Sequence, residues 1–312
     1  MSYLDDKRLL IKIANMYYKE GEKQSEIAKK IGVSRSLISK YLTRAKTLGI
    51  VEIIIHDDDE HSFTILESNI EKKYGLREVI CVPSPEGKTS KSYLGVEAGK
   101  YLIRVLENKQ IVGVSAGTTM NEVATGILPT KEFSQVCFVP LVGGVGDEQV
   151  DIHANSIVAK ISKKLNSSYH LLHAPVLVDS KQAKEVITNQ TSITNIRQMG
   201  SQADIAMVGI GGSPKHSTMV KSYKSYGIIE NLKEQEIVGD ICYNFINKDG
   251  KLVNNEWNDK TISIDIEKLK DIPLVIGVAA GNEKVDAIKA ALKGKFIDVL
   301  VTDEITATLL SQ

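Results

Sequence analysis

Short aliphatic runs at 79–82, 111–114, 136–141, 204–210, 274–279 and 297–301 alternate with segments of helical periodicity at 93–106, 152–165, 282–292 and 304–310. Continuous apolar runs of strand length, each followed by a helix, are the mark of strands buried on both faces. They predict an α/β fold with a mostly parallel sheet covered by helices on its two sides. A chain of 312 residues with 42% hydrophobic and 25% charged residues can bury such a core without disulfides or metal staples. No apolar run approaches the roughly 20 residues of a membrane-spanning helix. The richest, 274–280, is strand-sized and contains Gly277. The first residues mix acids and bases with no apolar leader, which points to the cytoplasm. Cys81, Cys137 and Cys242 are scattered among apolar neighbours and read as small buried hydrophobes in a reducing compartment.

The net charge of zero conceals an asymmetry. Residues 1–55 hold eleven Lys or Arg against six Asp or Glu, a balance of +5 that the remainder offsets. The same stretch carries three helical patterns. Leu9, Leu10, Ile13, Met16 and Tyr17 line one face of a helix over 5–19 that Gly21 stops. Ile27, Ala28 and Ile31 line a second, short helix closed by Gly32, and Ser34 stands as the N-cap of a third, with Leu37, Ile38, Tyr41, Leu42 and Ala45 facing inward. This is the layout of a helix-turn-helix, and the β-branched run 50–55 reads as the start of a wing. With the buried stripe so fixed, Arg35, Ser36, Ser39, Lys40, Thr43 and Arg44 fall on the outer face, where a recognition helix meets base edges and phosphates. The acidic run 57–60 ends the unit, so the expected division is a DNA-binding domain over 1–56 and an α/β domain over 57–312.

Open parallel sheets hold their ligands at the carboxyl ends of the strands. Gly113-Val114-Ser115-Ala116-Gly117-Thr118-Thr119 joins a strand to a helix expected to start near Met120. Its backbone donors, two threonine hydroxyls and the positive helix end suit a phosphate or carboxylate, although it lacks the lysine of a Walker loop. Its glycines also serve tight packing and Thr118 also serves as a cap, so the spacing alone leaves both readings open. Further loops supply Gly143, Gly144 and Asp147, then Gly209 to Ser213, Asp240, Lys284 and Asp303. Together these have the polar inventory of a sugar-phosphate site, while Asp303 is equally placed to cap the last helix. The histidines show no metal-ligand spacing, so no metal or cofactor is expected. Trp257 reads as a packing residue in a loop, with stacking on a sugar as the alternative.

Taken in order, SEIAKKIGVSRSLISKYLTRAKTLGIVEI, VGVSAGTTM, PLVGGVG, ADIAMVGIGG, VGDICYNFINKDGK, VIGVAAGNEKVDAIKAALKG and IDVLVTDEITATLL resemble the SorC family of bacterial transcriptional regulators. The resemblance spans nearly the whole chain. It implies a helix-turn-helix on operator DNA, a C-terminal domain similar to phosphosugar isomerases and deaminases that senses a phosphorylated sugar, and a homodimer or homotetramer. It further implies that Gly117, Thr118 and Thr119 hold the phosphate, with Asp240, Lys284 and Asp303 meeting the rest of the sugar. The alternative is a sugar-phosphate isomerase or deaminase that carries a regulatory DNA-binding head. A constitutive DNA-binding protein whose α/β domain only dimerises is a third.

Overall fold

The structure is a computed structural model that describes residues 6–53, 63–128, 131–144, 149–215, 217, 220, 236–253 and 256–312. It divides into two compact units, Met1–Ser62 and Phe63–Gln312. The expected boundary at 56/57 falls outside the described residues, as do Asp147 and the last two residues of the expected wing run.

The first unit holds α1 (Lys7–Ala14), α2 (Gln24–Ile31) and α3 (Arg35–Thr47), with α1 prolonged by a π-helical turn at Asn15–Lys19. Asp6 caps α1, its Oδ1 accepting from the N–H groups of Arg8 and Leu9 at 3.0 and 3.3 Å. Gly32, at φ 78°, ends α2 in the left-handed conformation, and Ser34 Oγ accepts from Leu37 N–H at 3.2 Å to open α3. Leu10, Ile13, Met16, Ile27, Ala28, Ile38, Tyr41, Leu42 and Ala45 form one buried cluster. The expected strand over 50–55 is absent from its described part, 50–53. The N–H groups of Ile50 and Val51 both turn back to Ala45 O, at 2.9 and 3.3 Å, closing the end of α3 instead of meeting a strand partner.

The second unit runs α4 (Thr64–Tyr74), β1 (Glu78–Val82), α5 (Lys91–Val105), β2 (Ile111–Val114), α6 (Thr118–Gly126), β3 (Cys137–Pro140), α7 (Ala154–Leu165), β4 (Ser168–Tyr169), α8 (Lys181–Thr188), α9 (Thr191–Ser201) and β5 (Ile205–Gly211). It continues through β6 (Gly239–Ile241), β7 (Asn244–Ile246), α10 (Glu256–Lys260), α11 (Ile266–Leu269), β8 (Leu274–Val278), α12 (Val285–Lys293), β9 (Val299–Asp303) and α13 (Glu304–Ser311). The main sheet has the order β1-β9-β8-β5-β2-β3-β4 with every neighbouring pair parallel. The β6–β7 hairpin adds antiparallel to the end of β5, Gly211 opposite Asp240.

Alternate residues of each strand feed two cores, as a sheet covered on both faces requires. Leu274, Ile276 and Val278 of β8 join the core on one face with α5, α6 and α7 residues such as Leu94, Met120 and Ile157. Val275 joins the other with Ile288 of α12 and Leu310 of α13. Each fully buried aliphatic side chain contributes about 1.5–3 kcal/mol. The outer margin of β1 is closed by α4: Glu71 Oε1 accepts from Val79 N–H at 2.9 Å and Glu67 Oε1 from Cys81 N–H at 2.8 Å. Among the described residues no helix is long and apolar enough to cross a membrane.

Candidate functional site

Chain direction across the sheet reverses between β2 and β5. After β2 the chain adds β3 and β4 on one side, and after β5 it adds β8 and β9 on the other. The carboxyl ends of these two central strands therefore open the crevice in which folds of this kind bind ligands. Ser115 ties the crevice together. It is 2% exposed, its N–H donates to Met207 O at 2.9 Å, and its Oγ accepts from Gly209 N–H at 3.1 Å. Its hydroxyl is thus a strand-to-strand clasp beneath the site.

Gly117 follows at φ 120°, a conformation that side chains resist, and donates its N–H to Ile152 O at 2.8 Å. The helix then begins at Thr118, two residues ahead of the expected start, with the Thr118 side chain exposed and Thr119 buried. Next to it, α5 and α6 run together with almost nothing between their backbones. A Cβ at Gly95 would strike the carbonyl of Glu122, and one at Gly126 would lie 2.6 Å from Val96 N. This approach sets the first turns of the two helices side by side, and Lys91 Nζ donates to Thr118 Oγ1 at 2.9 Å. Lys91 was not among the residues drawn from the sequence. Its signal was the polar stretch Thr89-Ser90-Lys91-Ser92 after β1, another carboxyl end of the same sheet.

Lys284 comes from the short turn Asn282–Lys284 after β8. Burial lowers its pKa from the ordinary lysine value, and the positive charge of Lys91 adds to the effect, while Asp240 and Glu283 oppose it. Asp240 is 7% exposed and stands on β6 instead of in a loop. Gly211 leaves room for it, since a Cβ there would collide with Asp240 Oδ1. Burial pushes this carboxyl up to about 6, against the Tyr243 N–H that donates to Oδ2 at 3.2 Å and the charge of Lys284. Lys91, Thr118, Lys284 and Asp240 thereby form one electrostatic group.

Asp303 differs. It is fully buried, with Oδ1 accepting from Thr306 N–H at 2.8 Å as the cap of α13 and Oδ2 accepting from Thr89 Oγ1 at 2.5 Å. Gly143 and Gly144 also spend their donors inside the fold, on Ile262 O at 3.0 Å and Ala174 O at 2.9 Å. A Cβ at Gly143 would lie 2.6 Å from Pro175 O, so this glycine is required by packing, whereas one at Gly144 would come no closer than 3.9 Å to Ala174 O. Trp257 sits on α10, buried, its indole N–H donating to Tyr243 O at 2.8 Å and its ring 5.3 Å from that of Phe245. That placement corrects the expected loop and leaves no free face for a sugar.

In the first unit, Arg35, Ser36, Ser39, Lys40 and Thr43 are exposed along one face of α3 and Arg44 is half-buried. Ser36 Oγ lies 2.9 Å from the capping Ser34 Oγ, and Thr43 Oγ1 donates back to Ser39 O at 3.0 Å. Ile38, Tyr41, Leu42 and Ala45 hold the opposite face in the core.

Residues 60–311 match the family model described as "Putative sugar-binding domain". The chain is 33% identical to the sorbitol operon regulator of Klebsiella pneumoniae, over 99% of each. It is 30% identical to the deoxyribonucleoside regulator of Bacillus subtilis (strain 168), over 98% of each. Among solved structures it superposes on the full-length sorbitol operon regulator SorC from Klebsiella pneumoniae with a TM-score of 0.74, 31% identity and 99% of both chains covered. A DeoR family transcriptional regulator from Listeria monocytogenes matches at a TM-score of 0.72 and 31% identity, over 80% of this chain and 99% of that one. The fold and these likenesses define a bacterial transcriptional regulator with a sugar-binding domain. The chain belongs to the SorC family. These relatives are regulators, one of them of the sorbitol operon, and they favour that reading over the isomerase or deaminase alternative.

Proposed function

We propose that the α/β domain binds a phosphorylated sugar at the carboxyl ends of β2, β5 and β8, and that this ligand controls how an oligomer of the chain holds operator DNA in the cytoplasm. The division into a DNA-binding part over 1–56 and an effector-binding and oligomerising part over 57–312 belongs to the same reading. What carries it is the grouping of the Gly117–Thr119 helix start with Lys91 and Lys284 on one side and Asp240 on the other. Helix N-termini and lysines favour an anionic group, and a carboxylate accepts from sugar hydroxyls. Gly117, Thr118 and Thr119 take the phosphate and Asp240 and Lys284 the sugar body. Ser115, Gly143, Gly144 and Asp303 shape the crevice from beneath.

On α3, Arg35 reads a base edge, Ser36, Ser39 and Thr43 make short contacts, and Lys40 and Arg44 pair with phosphates. The effector acts by favouring one arrangement of paired recognition helices, because only a difference in affinity between two states shifts their balance.

The test is anisotropy of a labelled fragment from upstream of the gene, titrated with protein at fixed salt, with and without a panel of hexose and pentose phosphates. Tight binding that one of them shifts is the expected result. Sequence-indifferent binding in every condition counts against the regulator as described. Thr118→Val with Thr119→Val is expected to keep operator affinity and lose the response to effector. Arg35→Ala is expected to weaken operator binding by about 1–3 kcal/mol while effector affinity is unchanged.

A further inference from the structure

Arg197 stands where the periodicity of its helix calls for an aliphatic side chain. In α9, Ile193 and Gly200 are buried, and Arg197 falls four residues after the first and three before the second, on the face turned toward the sheet. Among the described residues its guanidinium meets no hydrogen-bond acceptor and no ion-pair partner, and its Nε is wholly buried. A buried donor without an acceptor is costly, and most such groups in folded proteins are paired. The side chain is therefore held inward with donors to spare.

The same arginine lines a cleft of about 270 Å³ between α9 and α11. Pro140, Leu141 and Ile264 give the cleft apolar walls, and Gly200 lets α9 lie against Leu141, whose Cδ2 would be 3.2 Å from a Cβ there. None of the lining residues belongs to the crevice at the carboxyl ends of β2, β5 and β8. Burial lowers the pKa of Arg197 against the charge of Asp265. Burial and the charge of Arg197 lower that of Lys184 against Asp259 and Asp265, with Lys181 adding to the lowering. Asp259 lies 3.8 Å from Lys181, and Asp265 spends Oδ1 on the Glu267 N–H at 3.0 Å as the cap of α11. Lys268, also lining the cleft, is 3.3 Å from Asp271. Lys181, Lys184 and Arg197 thus share two carboxylates, and one positive charge remains.

A planar guanidinium matches the two oxygens of a carboxylate, and apolar walls suit a short hydrocarbon body. Asp265 lines the same cleft and opposes a second negative charge, so a phosphate dianion fits less well than a singly charged carboxylate. We infer that the cleft between α9 and α11 binds a small monocarboxylate, with the Arg197 guanidinium on its oxygens and Leu141 and Ile264 against its hydrocarbon part. This site is separate from the effector crevice and does not depend on what that crevice binds.

The experiment is calorimetric titration of the full chain, as wild type, Arg197→Met, Arg197→Lys and Gln198→Glu, with linear carboxylates from acetate to hexanoate and with inorganic phosphate. Thermal unfolding of each ligand-free variant accompanies it. In the wild type, affinity is expected to rise about fourfold per added methylene until the cleft is filled. Arg197→Met is expected to bind the best carboxylate about tenfold or more weakly, with its unliganded melting temperature unchanged or raised, because a buried charged donor is gone. Arg197→Lys is expected to recover only part of the loss, since an ammonium lacks the planar fork. Gln198 is exposed at the edge of the cleft, and Gln198→Glu is expected to weaken binding about threefold by repulsion while leaving the core untouched. No carboxylate binding in the wild type overturns the inference. Equal binding by wild type and Arg197→Met overturns it as well, because the carboxylate then sits elsewhere. Phosphate binding that exceeds that of every carboxylate and is lost in Arg197→Met overturns the ligand class.

Discussion

Two buried aspartates stand at the same edge of the sheet and do different work. Asp303, at the β9–α13 turn, has each carboxylate oxygen engaged, one by the backbone of α13 and one by Thr89. Asp240, on the β6–β7 hairpin, accepts one backbone hydrogen bond on Oδ2, and its Oδ1 packs against Gly211 in the place a Cβ would fill. Hydrogen bonding from the protein makes the first a fastener. Desolvation outweighs the one backbone hydrogen bond and the charge of Lys284 and leaves the second raised in pKa; in the proposed function it is the one that accepts from a ligand. Residue type and strand-end position are shared, so the difference lies in what the neighbours already supply.

The largest expected effect that separates them is on stability. Asp303→Ala removes a helix cap and strands a buried N–H, and should cost about 2–4 kcal/mol in urea unfolding. A loss under about 0.5 kcal/mol would show that the cap does not hold α13 and would erase the contrast. Asp240→Asn should do the reverse. Because the folded carboxyl titrates near 6 against an ordinary value of 3.8, the folded state binds the proton more tightly, and stability is greatest below the lower value and falls as pH rises through about 6. The amide variant removes that fall, so it should gain about 3 kcal/mol over wild type near about pH 8 and almost nothing near about pH 3. A parallel pH dependence in both proteins would mean that Asp240 is solvated. The smallest effect belongs to Thr89→Val, which deletes one of the two Asp303 anchors and should lower stability by about 1 kcal/mol, read from the same unfolding curves.

Much of this architecture was legible in the chain because its signals are local. The six aliphatic runs mark strands, and Gly32, Ser34 and the α3 stripe mark the helix-turn-helix. The β6–β7 hairpin was not legible. Its turn is made by Cys242 and Tyr243 at φ 50° and 63°, a left-handed conformation for which the usual signal is Asn or Gly. It is held instead by tertiary partners, with the Asn244 side-chain amide donating to Ile241 O, Cys242 O and Ile264 O. Asp240 was therefore found as a residue but not as part of a strand. The start of α6 was read two residues late because Thr118 has the chemistry of a cap while Gly117 holds the capping position. Lys91 escaped because the polar stretch around it looks the same on a solvated loop as beside a site. Its meaning comes from glycines on two helices that bring it to Thr118. Gly143 shows the converse difficulty, since a glycine at a strand end looks the same in sequence whether it admits a ligand or, as at Gly143, lies against the carbonyl of Pro175.

The carboxylates of Glu67 and Glu71 along β1 carry a consequence for how copies of this chain can meet. A sheet with a bare margin invites a second molecule to continue it strand by strand. Here two anchored negative charges occupy that margin, and at the far side β4 presents just two residues. Among the described residues, neither outer strand of the main sheet offers a second copy a long bare margin. In the proposed oligomer, protomers that meet through other surfaces shift against each other without tearing backbone hydrogen bonds, which is the freedom the proposed effector-driven switch requires.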